Sequence, residues 1–226
     1  LNVYLDEFLK DAMHELKTPI GVARINIDML SMRLRNDKNI LRVKSALKNM
    51  TIIYEDLEYY MQQNEVKELK TNINISLFLE KRVEFFNDLA VSKDITFYKS
   101  IEPNIEIFFN EIEAFRLIDN NLSNAIKYSF SKSAIHIKLY YINDNEIEFS
   151  VITNSKPIED SNKIFEDFYR ENKARGGFGL GLRIVKEICD KNFVTIEILS
   201  DKKETKFTYR FKINENTTAW RWINVK

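Results

Sequence analysis

The chain holds one cysteine, Cys189, so no disulfide forms within it, and a lone thiol fits a reducing compartment. It holds no apolar run of about 18 residues, hence no membrane-spanning helix, and it starts with no signal peptide. It carries no net charge, because 34 basic residues balance 34 acidic ones; no global field points to nucleic acid or to an anionic membrane surface. There are two histidines, three prolines and five glycines, and four of the five glycines fall between positions 176 and 181. Glycine costs folding entropy, so such a cluster needs a backbone reason: positive φ, or close approach of main chain to a ligand. The rest is ordinary for a globular protein, with 44% hydrophobic and 30% charged residues in 226. That suits one or two domains with a real core. The chain begins at Leu1 rather than Met, which reads as a piece of something longer.

Leu5, Phe8, Ala12, Leu16, Ile20, Ala23, Ile27, Leu30 and Leu34 recur at steps of three and four, predicting an amphipathic helix of roughly nine turns. The polar turn "RNDKN" at 35–39 ends it, and Val43, Leu47, Met50, Tyr54, Leu57 and Met61 mark a second helix. Two long helices joined by a short turn make an antiparallel hairpin. Two helices alone leave broad apolar faces uncovered, so the expectation is a homodimer closing a four-helix bundle. The polar run 62–72 reads as a hinge. Beyond it, helices are expected near 76–90, 110–128 and 179–191. Strands are expected near 94–100, 105–109, 134–141, 146–153, 193–199 and 205–213. That mixed order predicts an α+β two-layer sandwich. The expected domains are a hairpin at 1–68, an α+β domain at 69–214 and a tail at 215–226 that carries both tryptophans.

Three strings carry chemistry. In "HELKTPI", 14–20, helical geometry places His14 on the side opposite the apolar stripe. Glu15 follows it, Thr18 lies one turn on, and Pro19 sits inside the helical pattern, where it costs about 3 kcal/mol and bends the helix. In "RLIDNNLSNAIKYS", 116–129, the apolar positions Ile112, Phe115, Ile118, Leu122 and Ala125 predict the core stripe. Asn120 and Asn124 fall together on the other side, near Lys127. Uncharged carboxamides suit a hydrated Mg²⁺ already bound to phosphate oxygens, and lysine suits a phosphate. In "GGFGLGL", 176–182, glycines lead into a helix N-terminus, a ready anion site. No Lys-Ser/Thr follows, so it is not a Walker loop. His136 alternates with Ile135, Ile137 and Leu139 and reads as a polar-face residue without a catalytic role; Cys189 reads as a small buried hydrophobe.

"HELKTPI" resembles the phosphoacceptor box of bacterial two-component sensor histidine kinases, "N-x-x-x-N-A-x-K-Y-S" their asparagine box, "FEDFYR" their phenylalanine box and "GGFGLGL" their second glycine box. The resemblance spans about residues 1–213. It implies ATP and Mg²⁺ as cofactors and His14 as the phosphorylated residue. Glu15 would orient its ring or take its proton, and Thr18 would position water for a phosphatase activity. Asn124 would ligate Mg²⁺ with help from Asn120. Lys127, Tyr128, Arg170, Gly177, Gly179, Leu180 and Gly181 would surround the nucleotide. Phe165, Phe168 and Tyr169 would form an aromatic anchor and 171–176 a short lid, with Lys173 and Arg175 in it. Asp119 and Asn121 match no functional position. The implied partners are a second copy and the receiver domain of a response regulator, not nucleic acid. The implied location is cytoplasmic, with a longer parent anchored in the bacterial inner membrane.

The family's first glycine box, Asp-x-Gly-x-Gly, is missing: this chain reads "SVITNSKPIED" at 150–160. Aligning Ile158 puts Thr153 at the adenine-binding Asp; aligning the strand end puts Asn154 there, the preferred choice because its side-chain oxygen still accepts from an amine. The missing box motivates one alternative, a regulatory or phosphatase-biased pseudokinase; a third reading is a non-enzymatic dimeric scaffold that signals by conformation.

Overall fold

A computed structural model describes residues 2–34, 37–62, 69–171 and 177–213, the side chains of 2–10, 14 and 62 apart. The expected lid (all but Glu171) and its Lys173 and Arg175, the tail and most of the hinge lie outside the described residues. The chain divides into two compact units, Leu1–Lys67 and Glu68–Lys226.

In the first unit α1 (Asn2–Arg33) and α2 (Lys38–Gln62) run antiparallel. Lys17 bonds Glu58 at 3.0 Å near one end and Lys44 meets Asp28 at 3.5 Å near the other. Asp37 caps α2 through Oδ1, which accepts from Asn39 and Ile40 N–H. Pro19 lies inside α1 and offers no N–H to the Glu15 carbonyl. The expected single stripe is split. Met13 and Ile27 are buried with Ile52 and Tyr54 of α2, whereas Leu16 is 54% and Leu30 43% exposed. One neighbouring helix covers only a narrow strip of another, so the adjacent row stays open.

In the second unit, strands β2 (Thr96–Ile101), β4 (Ala134–Asn143), β5 (Glu146–Thr153), β7 (Thr205–Lys212) and β6 (Thr195–Ser200) form one sheet in that order. β2 and β4 are parallel and the remaining neighbours antiparallel. Alternation along the strands sends Ile137, Phe149, Val151, Tyr209 and Phe211 to the buried face; His136 is exposed and stacks on Tyr98 at 5.2 Å. Three helices cover the buried face: α3 (Ile75–Val91), α4 (Glu111–Tyr128) and α5 (Gly181–Lys191). β1 (Thr71–Asn74) pairs with β3 (Glu106–Phe109) in a separate two-stranded ribbon. β1 begins at the end of the polar run read as a hinge, sharing Thr71 and Asn72 with it. Its backbone pairs with β3, which apolar periodicity does not report.

α4 packs against α3 on one flank, α5 on the other and β5 beneath. Its expected one-sided stripe is therefore corrected. Ile112 is 49% exposed, while Ala114, Leu117, Ile118, Leu122, Ala125 and Ile126 form the core, and Glu113, Asp119, Asn120 and Asn121 are all at most 3% exposed. Each of these polar side chains is bonded, as burial demands. Glu113 takes Lys191 and the Asn192 amide, Asp119 takes Arg82, and Asn121 accepts from the Tyr209 hydroxyl at 2.7 Å.

Candidate active site

A cleft enclosing about 1210 Å³, its open mouth included, lies over the ends of β5 and β7. Its floor is Val151 and Thr153 of β5 with Thr205 and Phe207 of β7. One wall is the inner side of α4, with Asn121, Asn124, Ala125 and Tyr128. The other is formed by residues between 155 and 171, including Ile158, Ile164, Tyr169, Arg170 and Glu171, together with Leu182 of α5. Such a concave site with a few convergent polar groups is the usual form of a small-molecule site.

The glycine string shapes the mouth. Gly177 and Gly179 have φ of +95° and +79°, backbone that L-residues rarely adopt. Gly179 also lies under the turn at 168–169: a Cβ there would stand 2.6 Å from the Tyr169 carbonyl oxygen. At Gly181 a Cβ would stand 2.1 Å from Asn120 Oδ1, so the missing side chain lets the first turn of α5 rest on α4. The glycines thus serve packing within the domain. Arg170 donates to the Gly177 carbonyl at 2.8 Å, and the Lys127 ammonium lies within reach of Gly177 and 5.2 Å from the Tyr128 ring centroid. Cationic groups therefore collect beside the N-terminal end of α5.

The family whose pattern matches residues 109–215 is that of the histidine kinase-, DNA gyrase B- and HSP90-like ATPases. The sensor protein DltS of Streptococcus agalactiae is 29% identical over 217 residues, covering 92% of this chain and 54% of that protein. The phosphate regulon sensor protein PhoR of Haemophilus influenzae is 31% identical over 228 residues, covering 93% and 53%. The chain carries a histidine kinase catalytic core. It spans about half the length of these two relatives. The solved histidine kinase AdeS of Acinetobacter baumannii shares its fold with a TM-score of 0.59 at 17% identity, covering 89% of this chain and 98% of that one.

Within the kinase core, Asn124, Tyr128 and Arg170 line the cleft, and Lys127, Gly177, Gly179 and Gly181 stand at its α4–α5 side. Asn120 does not lie on an open face: it is 3% exposed, donates to the Arg116 carbonyl and abuts Gly181. Leu180 is 2% exposed and anchors the start of α5, while Leu182 lines the cleft. The aromatic anchor is corrected as well: Ile164 is the buried residue of that segment and Phe168 is 59% exposed. Asn154 is also corrected. It is exposed, donates to the Lys203 carbonyl at 3.1 Å and is not among the cleft-lining residues; Thr153, the other alignment, is. Alternation along β5 puts Thr153 on the face of Val151 and Phe149, and the helices packed on that face make it the cleft floor. Cys189 is fully buried, and burial pushes its thiol up to about 12, which removes it from nucleophilic chemistry. Glu15 and Thr18 are exposed on α1; the side chain of His14 lies outside the described residues.

Proposed function

We propose that the chain phosphorylates its own His14 from ATP and passes the phosphoryl group to an aspartate of a response-regulator receiver domain. The observation that carries this is the cleft itself. Asn124, Tyr128 and Arg170 converge there beside a glycine-framed helix start, in a chain whose α1 holds "HELKTPI".

Of the two carboxamides that line the cleft, Asn121 is buried and held by Leu117 and Tyr209, which leaves Asn124 the accessible one, and the described residues hold no cluster of carboxylate, histidine or cysteine ligands. That donor set fits a Mg²⁺ carried mainly by triphosphate oxygens, with Asn124 completing its shell. Asn120 then acts by seating Gly181. Lys127 and Arg170 neutralise phosphate charge, and the N–H groups at Gly177, Gly179, Leu180 and Gly181 donate to phosphate oxygens. Tyr128 packs beside the sugar and phosphates.

In the transfer a neutral His14 nitrogen attacks the γ-phosphorus, its bond to the β,γ-bridging oxygen breaks, and ADP leaves with that electron pair. Glu15 holds or takes the proton of the other ring nitrogen as positive charge develops. Thr18 aligns water for the reverse task, hydrolysis of the phosphorylated regulator.

Labelled ATP tests the reading. Wild type takes up acid-labile, base-stable phosphate and His14→Ala takes up none. Binding of ATP without label replaces it with a pseudokinase; no binding leaves a scaffold.

The uncovered hairpin row fits a second copy. Leu30→Glu places a charge in it and is expected to give a monomer in light scattering where wild type is a dimer. An unchanged dimer mass moves the interface elsewhere. Among the described residues no helix is long and apolar enough to cross a membrane.

A further inference from the structure

The polar groups at the base of the cleft are hydroxyls, set beside the apolar Val151 and Phe207. Thr153, Ser155 and Thr205 are 7%, 5% and 4% exposed, and all three line it. Ser155 Oγ donates to Thr205 Oγ1 at 3.0 Å, and Thr205 Oγ1 lies 2.7 Å from Ser200 Oγ, where either oxygen serves as donor. Ser200 Oγ accepts the Ile158 N–H at 2.9 Å. Thr153 Oγ1 reaches the Thr205 carbonyl only at 3.4 Å, a long bond that is readily exchanged. The two carboxylates that line the cleft, Glu159 and Glu171, belong to its exposed wall, where Glu171 Oε1 accepts the Glu159 N–H at 3.0 Å. Among the described residues no carboxylate stands in the floor.

We infer that this cleft binds guanine nucleotides about as well as adenine nucleotides, with Thr153 as the residue that sets this tolerance. The inference rests on the cleft being the nucleotide site. A carboxylate only accepts hydrogen bonds; it matches the adenine 6-amino group and repels the guanine O6. A threonine hydroxyl both donates and accepts. It gives its proton to O6 or takes one from the amine, and the bond it would give up, to the Thr205 carbonyl, is the long one. Base discrimination through an exclusive acceptor is thereby lost.

Calorimetric titration of the full chain with Mg·ATP and Mg·GTP tests this, on wild type, Thr153→Asp and Thr153→Asn. Wild type is expected to bind the two with dissociation constants within about fivefold. Thr153→Asp restores a pure acceptor and should favour ATP by about 10- to 100-fold, the worth of a hydrogen bond to a charged group. Thr153→Asn, of similar size but able to donate and accept, should keep the wild-type ratio. A wild-type preference for ATP above about fivefold overturns the inference and leaves the site reading intact. An unchanged ratio in a folded Thr153→Asp removes Thr153 from the role. Should Thr153→Asp fail to fold, the wild-type and Thr153→Asn ratios decide. Wild type that binds neither nucleotide ends the site reading itself, and this inference with it.

Discussion

Asp119→Ala should lower the unfolding free energy by about 3–5 kcal/mol, the cost of stripping one partner from a buried ion pair. Arg82 grips Asp119 with two parallel bonds, Nε to Oδ1 at 2.7 Å and NH2 to Oδ2 at 2.6 Å. The carboxylate side chain is 1% exposed and the guanidinium side chain 15%. The guanidinium is sandwiched between Phe85 and Phe115, 4.2 and 4.1 Å from their ring centroids. Without Asp119 it remains in that apolar slot facing no anion, which is the expensive state; the pair as such is not what stabilises most. The double variant Arg82→Met, Asp119→Leu should therefore recover most of the loss, since it fills the slot with apolar volume and leaves no stranded charge. Urea titrations of the three proteins measure this. A loss under about 1 kcal/mol in Asp119→Ala, or a double variant no better than the single, would show that the bridge between α3 and α4 holds little.

Gly179→Ala carries the second large effect. The backbone there has φ +79°, which costs an L-residue about 1–2 kcal/mol. The new methyl would stand 2.6 Å from the Tyr169 oxygen and 2.8 Å from the Phe168 carbonyl carbon. Both are main-chain atoms and neither rotates away, so overpacking adds about 1–3 kcal/mol. Phe168 already sits at φ 60°, in the same left-handed region, so the turn has little freedom left to yield. The neighbouring Tyr169 and Arg170 line the cleft, so their displacement should weaken ATP binding about tenfold or more along with the melting temperature. Gly21→Ala is the contrast. Gly21 lies within α1, and a methyl added to it would meet nothing within 4 Å, so alanine there should raise stability by up to about 1 kcal/mol. Calorimetry and ATP titration on both variants measure the difference. If Gly179→Ala melts and binds like wild type, the glycine is not there for backbone reasons.

Much of this was legible in the residue order. The helices at 76–90 and 110–128 and the strands at 134–141 and 146–153 differ from the observed elements by two residues or fewer at either end, because periodicities of 3.6 and 2 are local. The motif strings, being contiguous, were legible in the same way. Phe86, Leu79 and Val83 of α3 are buried as their spacing predicts. What escaped was each feature that needs a second segment. β1 exists through its partner β3, and its own residues are mostly polar. Asp119 and Asn121, which match no family position, are buried on a helix flanked by α3 and α5 and find Arg82 and Tyr209 from 37 and 88 residues away.

The amino-acid order by itself determined the helix and strand types, the histidine box on α1 and the asparagine and glycine boxes of the cleft domain, since each depends on spacing within one segment. Only the tertiary structure decided that Thr153 and not Asn154 lines the cleft floor, that Asn120 supports Gly181, and that α4 is closed in on both flanks. Strand pairing and helix flanking join residues far apart in the chain, and which face of a strand becomes a cleft floor depends on the helices packed above it.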